Sequence, residues 1–242
     1  MANEEAKPTL HHLSNSQSQR ILWLLEELKI PYNLDAHLRQ ASGPARGRAP
    51  VELQKMHPLG KAPQLTTAEG RVISESSAIA QYLIWRYDTA GKFKSEEGGK
   101  NDWIRDEELC SLAGTTFQPT LVLDFIFLHT VKRSPFFVRP IFAAAHHQLQ
   151  KLFVGPEVAK LCGYLNDQLG DQDYFLGSSP GRADFIVSWP IDFGTREGMV
   201  NLENYPKLQA WNDRRKSRPA WIRALEKGNG YLGPNMDLDH IG

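Results

Sequence analysis

Over the first ninety residues the apolar positions alternate between two periods. TLHHL (9–13) is short and bounded by polar residues, and it reads as a strand. Ile21, Leu22, Leu24, Leu25 and Leu28 then recur at helical spacing, which predicts a helix from Gln17 or Ser18 to Leu28 with Glu26 and Glu27 turned outward. Pro31 stops it, YNLDAHL (32–38) alternates like a strand, and the Gly-, Pro- and Arg-rich QASGPARGRAP (40–50) reads as a loop. A short helical segment at 51–56 follows. APQL (62–65) and RVISES (71–76) are short strands around a turn at Glu69-Gly70, and 76–87 is helical again. The predicted order is β-α-β-α-β-β-α.

After KFKSEEGGK (92–100), which reads as a linker, the pattern is helical throughout. It is broken at Ser134-Pro135, Gly170, Pro180-Gly181 and Pro206, with no convincing strand. The expectation is an α/β domain over 1–91, a linker over 92–100 and an all-helical domain over 101–242. YLGPNMDLDHIG (231–242) has no period and is expected to be extended.

Composition narrows the function classes. Lys+Arg and Asp+Glu are both 28 in 242 residues, so no overall basic excess points to nucleic acid. Cys110 and Cys162 give neither a disulfide framework nor a metal-ligand spacing, and adjacent His146 and His147 point apart on a helix. No metal is expected. MANEEAKPTL lacks an apolar signal core and LVLDFIFL (121–128) is too short to span a bilayer, so a cytoplasmic protein is expected.

One junction asks for more than folding. SNSQS (14–18) places three serines, an asparagine and a glutamine directly before a strongly apolar helix. Capping needs one hydroxyl. The surplus suits an anion held by a hydroxyl and by free backbone N–H groups at a helix start.

Three stretches carry a family resemblance. HPLGKAPQL (57–65) with ISESSAIAQYL (73–83), FLGSSPGRADF (175–185) and YPKLQAWNDRRKSRPAWIRAL (205–225) stand in the order and separations of the cytosolic glutathione transferases. RILWLLEELKIPY resembles the yeast-type enzymes of fungi and bacteria. The resemblance implies a thioredoxin-like domain joined to an all-helical one, and glutathione as co-substrate. It implies a homodimer and an apolar electrophile as second substrate, lying between the domains against TTFQPTLVLDFIFLH (115–129), with Phe117 and Phe125 as candidates.

Residue by residue, a cis Pro63 would present the backbone of Ala62 to the cysteinyl part of glutathione. Glu75 and Ser76 would take the γ-glutamyl ammonium and carboxylate, and Lys61 the glycyl carboxylate. Ser16 lies four residues before Arg20, as the active hydroxyl does in serine-type transferases, with Ser14 and Asn15 in reserve. Gln17 replaces an arginine common in related yeast-type sequences, and Ser18 is expected to cap the helix. Gly181-Arg182-Ala183-Asp184 takes the place of the family's capping box, with Asp184 bonding back to the cap, while Trp211, Trp221 and Leu225 are expected in the core. The same thiolate chemistry would serve peroxidase, isomerase or C–S bond-forming activity, and the fold would also serve a non-catalytic ligand-binding protein.

Overall fold

The computed structural model describes residues 6–41, 47–95, 101–229 and 231. Contacts divide the chain into two compact units: Met1–Lys94 with Arg215–Ile241, and Ser95–Arg214.

The first unit holds β1 (Thr9–Leu13), α1 (Gln19–Leu28), β2 (Asn33–His37), α2 (Val51–Met56), β3 (Gln64–Thr66), β4 (Val72–Ser74) and α3 (Ser76–Tyr87). Its sheet runs β2-β1-β3-β4. β1 is parallel to β2, from Thr9 opposite Asn33 to Leu13 opposite His37, and antiparallel to β3, which is antiparallel to β4. This is the expected β-α-β-α-β-β-α order, with the strands at 64–66 and 72–74 shorter than the alternation suggested. Each boundary has a local cause. Lys29 turns left-handed at φ 54° and its N–H donates to Leu25 O, which ends α1 at Leu28, three residues before Pro31.

Glu26 and Glu27 are not turned outward. Both are buried, while Leu28 is only half-buried. The reason is α10 (Pro219–Lys227), which belongs to this first unit although the pattern placed it with the helical domain. Trp221 meets Trp23 edge-on at 5.6 Å, an arrangement that stabilises by about 0.5–1.5 kcal/mol beyond area burial. Arg218 Nη2 donates to Glu27 Oε2 at 2.9 Å, and Arg223 Nε to Glu26 Oε2 at 2.8 Å. Burial opposes ionisation of Glu26, but hydrogen bonds from Lys227, Tyr32 and Arg223 outweigh it and its pKa falls below the ordinary value. α1 is therefore enclosed on both its apolar and its acidic side.

The second unit holds α4 (Trp103–Ser111), α5 (Gln118–Arg133), α6 (Arg139–Leu149), α7 (Gly155–Leu169) and α8 (Arg182–Arg196), with no strand among its described residues. The unit boundary falls inside α9 (Pro206–Lys216). Two π-helical turns, Leu112–Phe117 and Gln150–Val154, join α4 to α5 and α6 to α7. Each leads into a proline at the start of the next helix, Pro119 or Pro156, and the amides just before them, on Gln118 and Gly155, bond five residues back to Ala113 O and Gln150 O. A proline ring crowds the preceding turn and lacks an N–H, and a wider turn leaves it room.

The apolar run near 121–128 is thus part of one helix, Trp103–Arg133, long and apolar enough to cross a membrane by length and composition alone. Inside it Asp124 is buried and its Oδ1 accepts from His146 Nε2 at 2.7 Å on α6, so this carboxylate is paired within the unit.

Trp211 and Trp221 are buried as expected, and Leu225 is half-buried. At the start of α8, Asp184 is fully buried. Its Oδ2 accepts Gly181 N–H at 2.8 Å, and its Oδ1 accepts Phe175 N–H at 3.1 Å and Trp211 Nε1–H at 2.7 Å. Burial pushes its pKa up to about 6 against the pull of those three donors. Glycine suits the cap because a Cβ on Gly181 would lie 2.7 Å from Leu176 Cδ1. Residues 96–100 of the expected linker and 232–242 of the tail lie outside the described residues. Phe93 is buried and Asp88 accepts its amide at 2.7 Å, so the chain is anchored where the linker was expected to start.

Candidate active site

The serine-rich junction connects β1 to α1, and its hydroxyls form a chain into the first unit's interior. His12 is fully buried, with Nε2 2.8 Å from Gly228 O. A carbonyl only accepts, so Nε2 carries the proton and Nδ1 is bare. Burial, opposed by the Gly228 bond, lowers the His12 pKa and keeps the ring neutral. Nδ1 therefore accepts the Ser18 hydroxyl at 2.9 Å. Ser18 Oγ in turn receives Leu13 N–H at 3.2 Å and lies 2.8 Å from Ser16 Oγ.

Ser18 stands at the N-cap position of α1, where its carbonyl accepts Leu22 N–H at 3.1 Å, but its side chain makes no cap bond. It links His12 to Ser16. The Ser16 oxygen accepts Ser18 N–H at 3.2 Å, and its proton has two acceptors at 2.8 Å, Leu13 O and Ser18 Oγ. Ser14 has no such engagement: its amide donates to His37 O at 2.8 Å, while its hydroxyl makes no hydrogen bond within the described chain. Asn15, between them, is left-handed at φ 52° and its carbonyl accepts from Arg39 Nη2 at 2.9 Å.

The other candidates surround the start of α3. The Ala62-Pro63 peptide is cis and leads into β3. Neither backbone group of Ala62 is hydrogen-bonded to the described chain. Glu75 is exposed and holds φ at 72°, and the amides of Ser76, Ser77 and Ala78 have no intrahelical partner at the helix start. Such N–H groups with the positive end of a helix dipole suit a carboxylate, and an exposed glutamate alongside suits an ammonium.

Ser76 Oγ accepts from Arg20 Nη2 at 2.8 Å and lies 3.2 Å from Gln17 Oε1, which Arg20 also reaches. Gln17, read as the loss of a local positive charge, thus ties Arg20 of α1 to the first residue of α3. Lys61 is exposed and its ammonium has no partner in the described chain. The first unit therefore brings together Ser14, Asn15 and Ser16 at one helix start and Glu75 and Ser76 at another, with Arg20 joining the two.

Phe117 and Phe125 lie in the second unit. Phe117 is wholly buried in the first π turn. Phe125 is half-buried, 4.1 Å from the His129 ring and 5.3 Å from that of Phe193, which stacks on Trp189 at 4.9 Å. Sequence reasoning placed Phe125 on α5 but missed Phe193 and Trp189, whose four-residue spacing on α8 was the available signal.

Comparison with known proteins matches both units. Residues 16–84 match the glutathione S-transferase N-terminal domain family, and 126–219 the C-terminal domain family. Glutathione S-transferase 3 of Schizosaccharomyces pombe is 29% identical over 218 residues, covering 90% of this chain and 86% of that protein. Glutathione S-transferase 1 of Saccharomyces cerevisiae is 28% identical over 235 residues, covering 94% and 97%. Among solved structures, a glutathione S-transferase from Actinobacillus pleuropneumoniae superposes with a TM-score of 0.72 at 28% identity, covering 96% of this chain and 95% of that one. Two domains of one family occur in the family's order, and two fungal transferases align with nearly the whole length. The chain belongs to the glutathione transferase family and is a glutathione transferase with glutathione as its co-substrate.

Proposed function

We propose that the enzyme holds the glutathione sulfur as a thiolate at the β1–α1 junction, with Ser16 as donor, and adds it to an apolar electrophile. The observation that carries this is the fixed Ser16 oxygen. It is held by Ser18 N–H and backed by the Ser18–His12–Gly228 chain, and its proton is shared between two acceptors. A charged sulfur is a better acceptor than either.

The energetics are sufficient. A free thiol with a pKa near 8.5 is only a few per cent ionised at pH 7, and lowering it by about 2 units takes roughly 2.7 kcal/mol. A hydrogen bond to a charged group supplies about 1.5–3 kcal/mol, and the start of α1 about 0.3–1 kcal/mol more. No proton-abstracting base is required.

The γ-glutamyl group is read into the open start of α3, its carboxylate on the free amides and Ser76, its ammonium on Glu75. The backbone of Ala62 beside Pro63 pairs with the cysteinyl unit, and Lys61 meets the glycyl carboxylate. Phe125, the half-buried aromatic of α5, is assigned to the electrophile; Phe117 acts only by packing. The enzyme is proposed to be cytoplasmic and to work as a homodimer.

Ser16→Ala is expected to keep glutathione affinity within a few fold and cut turnover by about ten- to several-hundred-fold, the effect of losing 1.5–3 kcal/mol. Thiolate absorbance near 240 nm, titrated with pH on the bound complex, should show the thiol pKa rising in that variant. A second reading gives the sulfur to Ser14, whose hydroxyl has no competing partner. A larger effect of Ser14→Ala than of Ser16→Ala would select it. A bound thiol no more acidic than the free one would leave a binding protein without catalysis.

A further inference from the structure

On the sheet, His11 of β1 stands directly opposite Asp35 of β2, and His37, whose carbonyl accepts the Ser14 amide, lies two residues further along β2. Positions two apart on a strand share a face. Asp35 Oδ2 is 2.9 Å from His11 Nδ1 and 2.9 Å from His37 Nε2, and the donor atoms of all three residues lie within 4.8 Å of one another. The His11 side chain is 6% exposed, that of His37 14% and that of Asp35 44%, so the imidazoles are enclosed and the carboxylate opens to solvent.

We propose that His11, Asp35 and His37 form a binding site for a borderline divalent transition metal ion of the Zn2+ class. Two imidazoles and one carboxylate are a donor set zinc commonly takes, with a fourth position left for water. Zn–N and Zn–O bonds of about 2.0–2.1 Å in a tetrahedral shell place donors about 3.3 Å apart. The two donor pairs centred on Asp35 are already slightly closer than that, so an ion enters by widening them and drawing the two rings together.

The outer contacts fit the same reading. His11 Nε2 is 2.8 Å from Thr66 Oγ1 on β3. When Nδ1 binds the ion, the imidazole proton moves to Nε2 and donates to that hydroxyl, which fixes tautomer and ring plane. His37 needs the equivalent shift from Nε2 to Nδ1. No proton is gained or lost by neutral rings, and no step of the transferase reaction passes through the ion. Three strands supply the ligands and their support, a rigid frame of the kind that holds a preorganised site.

The probe is Zn2+ alone, titrated by calorimetry into full-length, tag-free protein cleared of chelator and of glutathione. One saturable equivalent is expected, bound well below millimolar concentration. Asp35→Asn and His37→Gln should each weaken it by about tenfold or more, while His147→Gln on α6 leaves it unchanged. Co2+ added to the wild-type protein should give the intense visible absorption of a tetrahedral site, a readout that requires no variant to fold. Absence of saturable binding, affinity unmoved in both variants, or weak octahedral-type Co2+ absorption would each overturn the proposal.

Discussion

The starts of α3 and α8 present the same backbone problem and solve it oppositely. At α8 the cap is closed. Asp184 is fully buried and takes three N–H groups, from Gly181, Phe175 and Trp211. At α3 the cap residue Glu75 makes no side-chain cap bond, sits at positive φ and leaves the first amides open, with Ser76 braced from α1 by Arg20. A helix start whose donors are satisfied internally serves the fold; one whose donors are left open is available to a ligand. The difference lies in where the acceptors are, since both sequences, SES and GRAD, carry an acidic residue within the first turn or beside it.

The largest effect that would break this contrast is Asp184→Ala. It leaves three buried N–H groups without an acceptor and is expected to destabilise by about 3–5 kcal/mol in denaturant unfolding, at roughly 1–3 kcal/mol per unsatisfied group less relaxation. A loss under about 1 kcal/mol would mean the closed cap is not structural. Next is Glu75→Gln, which keeps the size of the side chain and removes the charge. The Michaelis constant for glutathione should rise by about tenfold or more with turnover little changed, as loss of a charge-assisted contact implies. An unchanged constant would place the γ-glutamyl group elsewhere.

Ser76→Ala removes the hydroxyl that meets Arg20 and Gln17. A destabilisation of about 1 kcal/mol and a few-fold weaker glutathione binding are expected, measured on the same preparation. The smallest effect belongs to Gly181→Ser. A serine gains a cap bond of its own, but its Cβ must displace Leu176, so stability should stay within about 0.5 kcal/mol of the parent. A gain above about 1 kcal/mol would show that α8 was under-capped after all.

What the sequence made legible follows from range. β1 and α3 have the boundaries their periodicity and local signals predicted, because a strand or helix of that length is decided by neighbours a few residues away. Glu26 and Glu27 were misread because their partners, Arg218, Arg223 and Lys227, are about 190 to 200 residues downstream. Ser18 holds the cap position expected of it, but its hydroxyl was misread because the ring that orders it, His12, is itself set by Gly228. The candidate glutathione residues were legible only through motif order; Asp35 and His37 share a face of one predicted strand, but nothing local to His11 marks it as their neighbour.

The π turn between Ser111 and Gln118 has a consequence for the long helix that contains it. Each residue of an α-helix advances about 100° around the axis, so one residue accommodated in a wide turn rotates everything downstream by that amount. α4 can then present its inner stripe to α8 while α5, on the same rod, turns toward α6. Deleting Gly114 would restore uniform winding, swing the far half by over a quarter revolution, and aim Leu121 and Asp124 at the wrong neighbours.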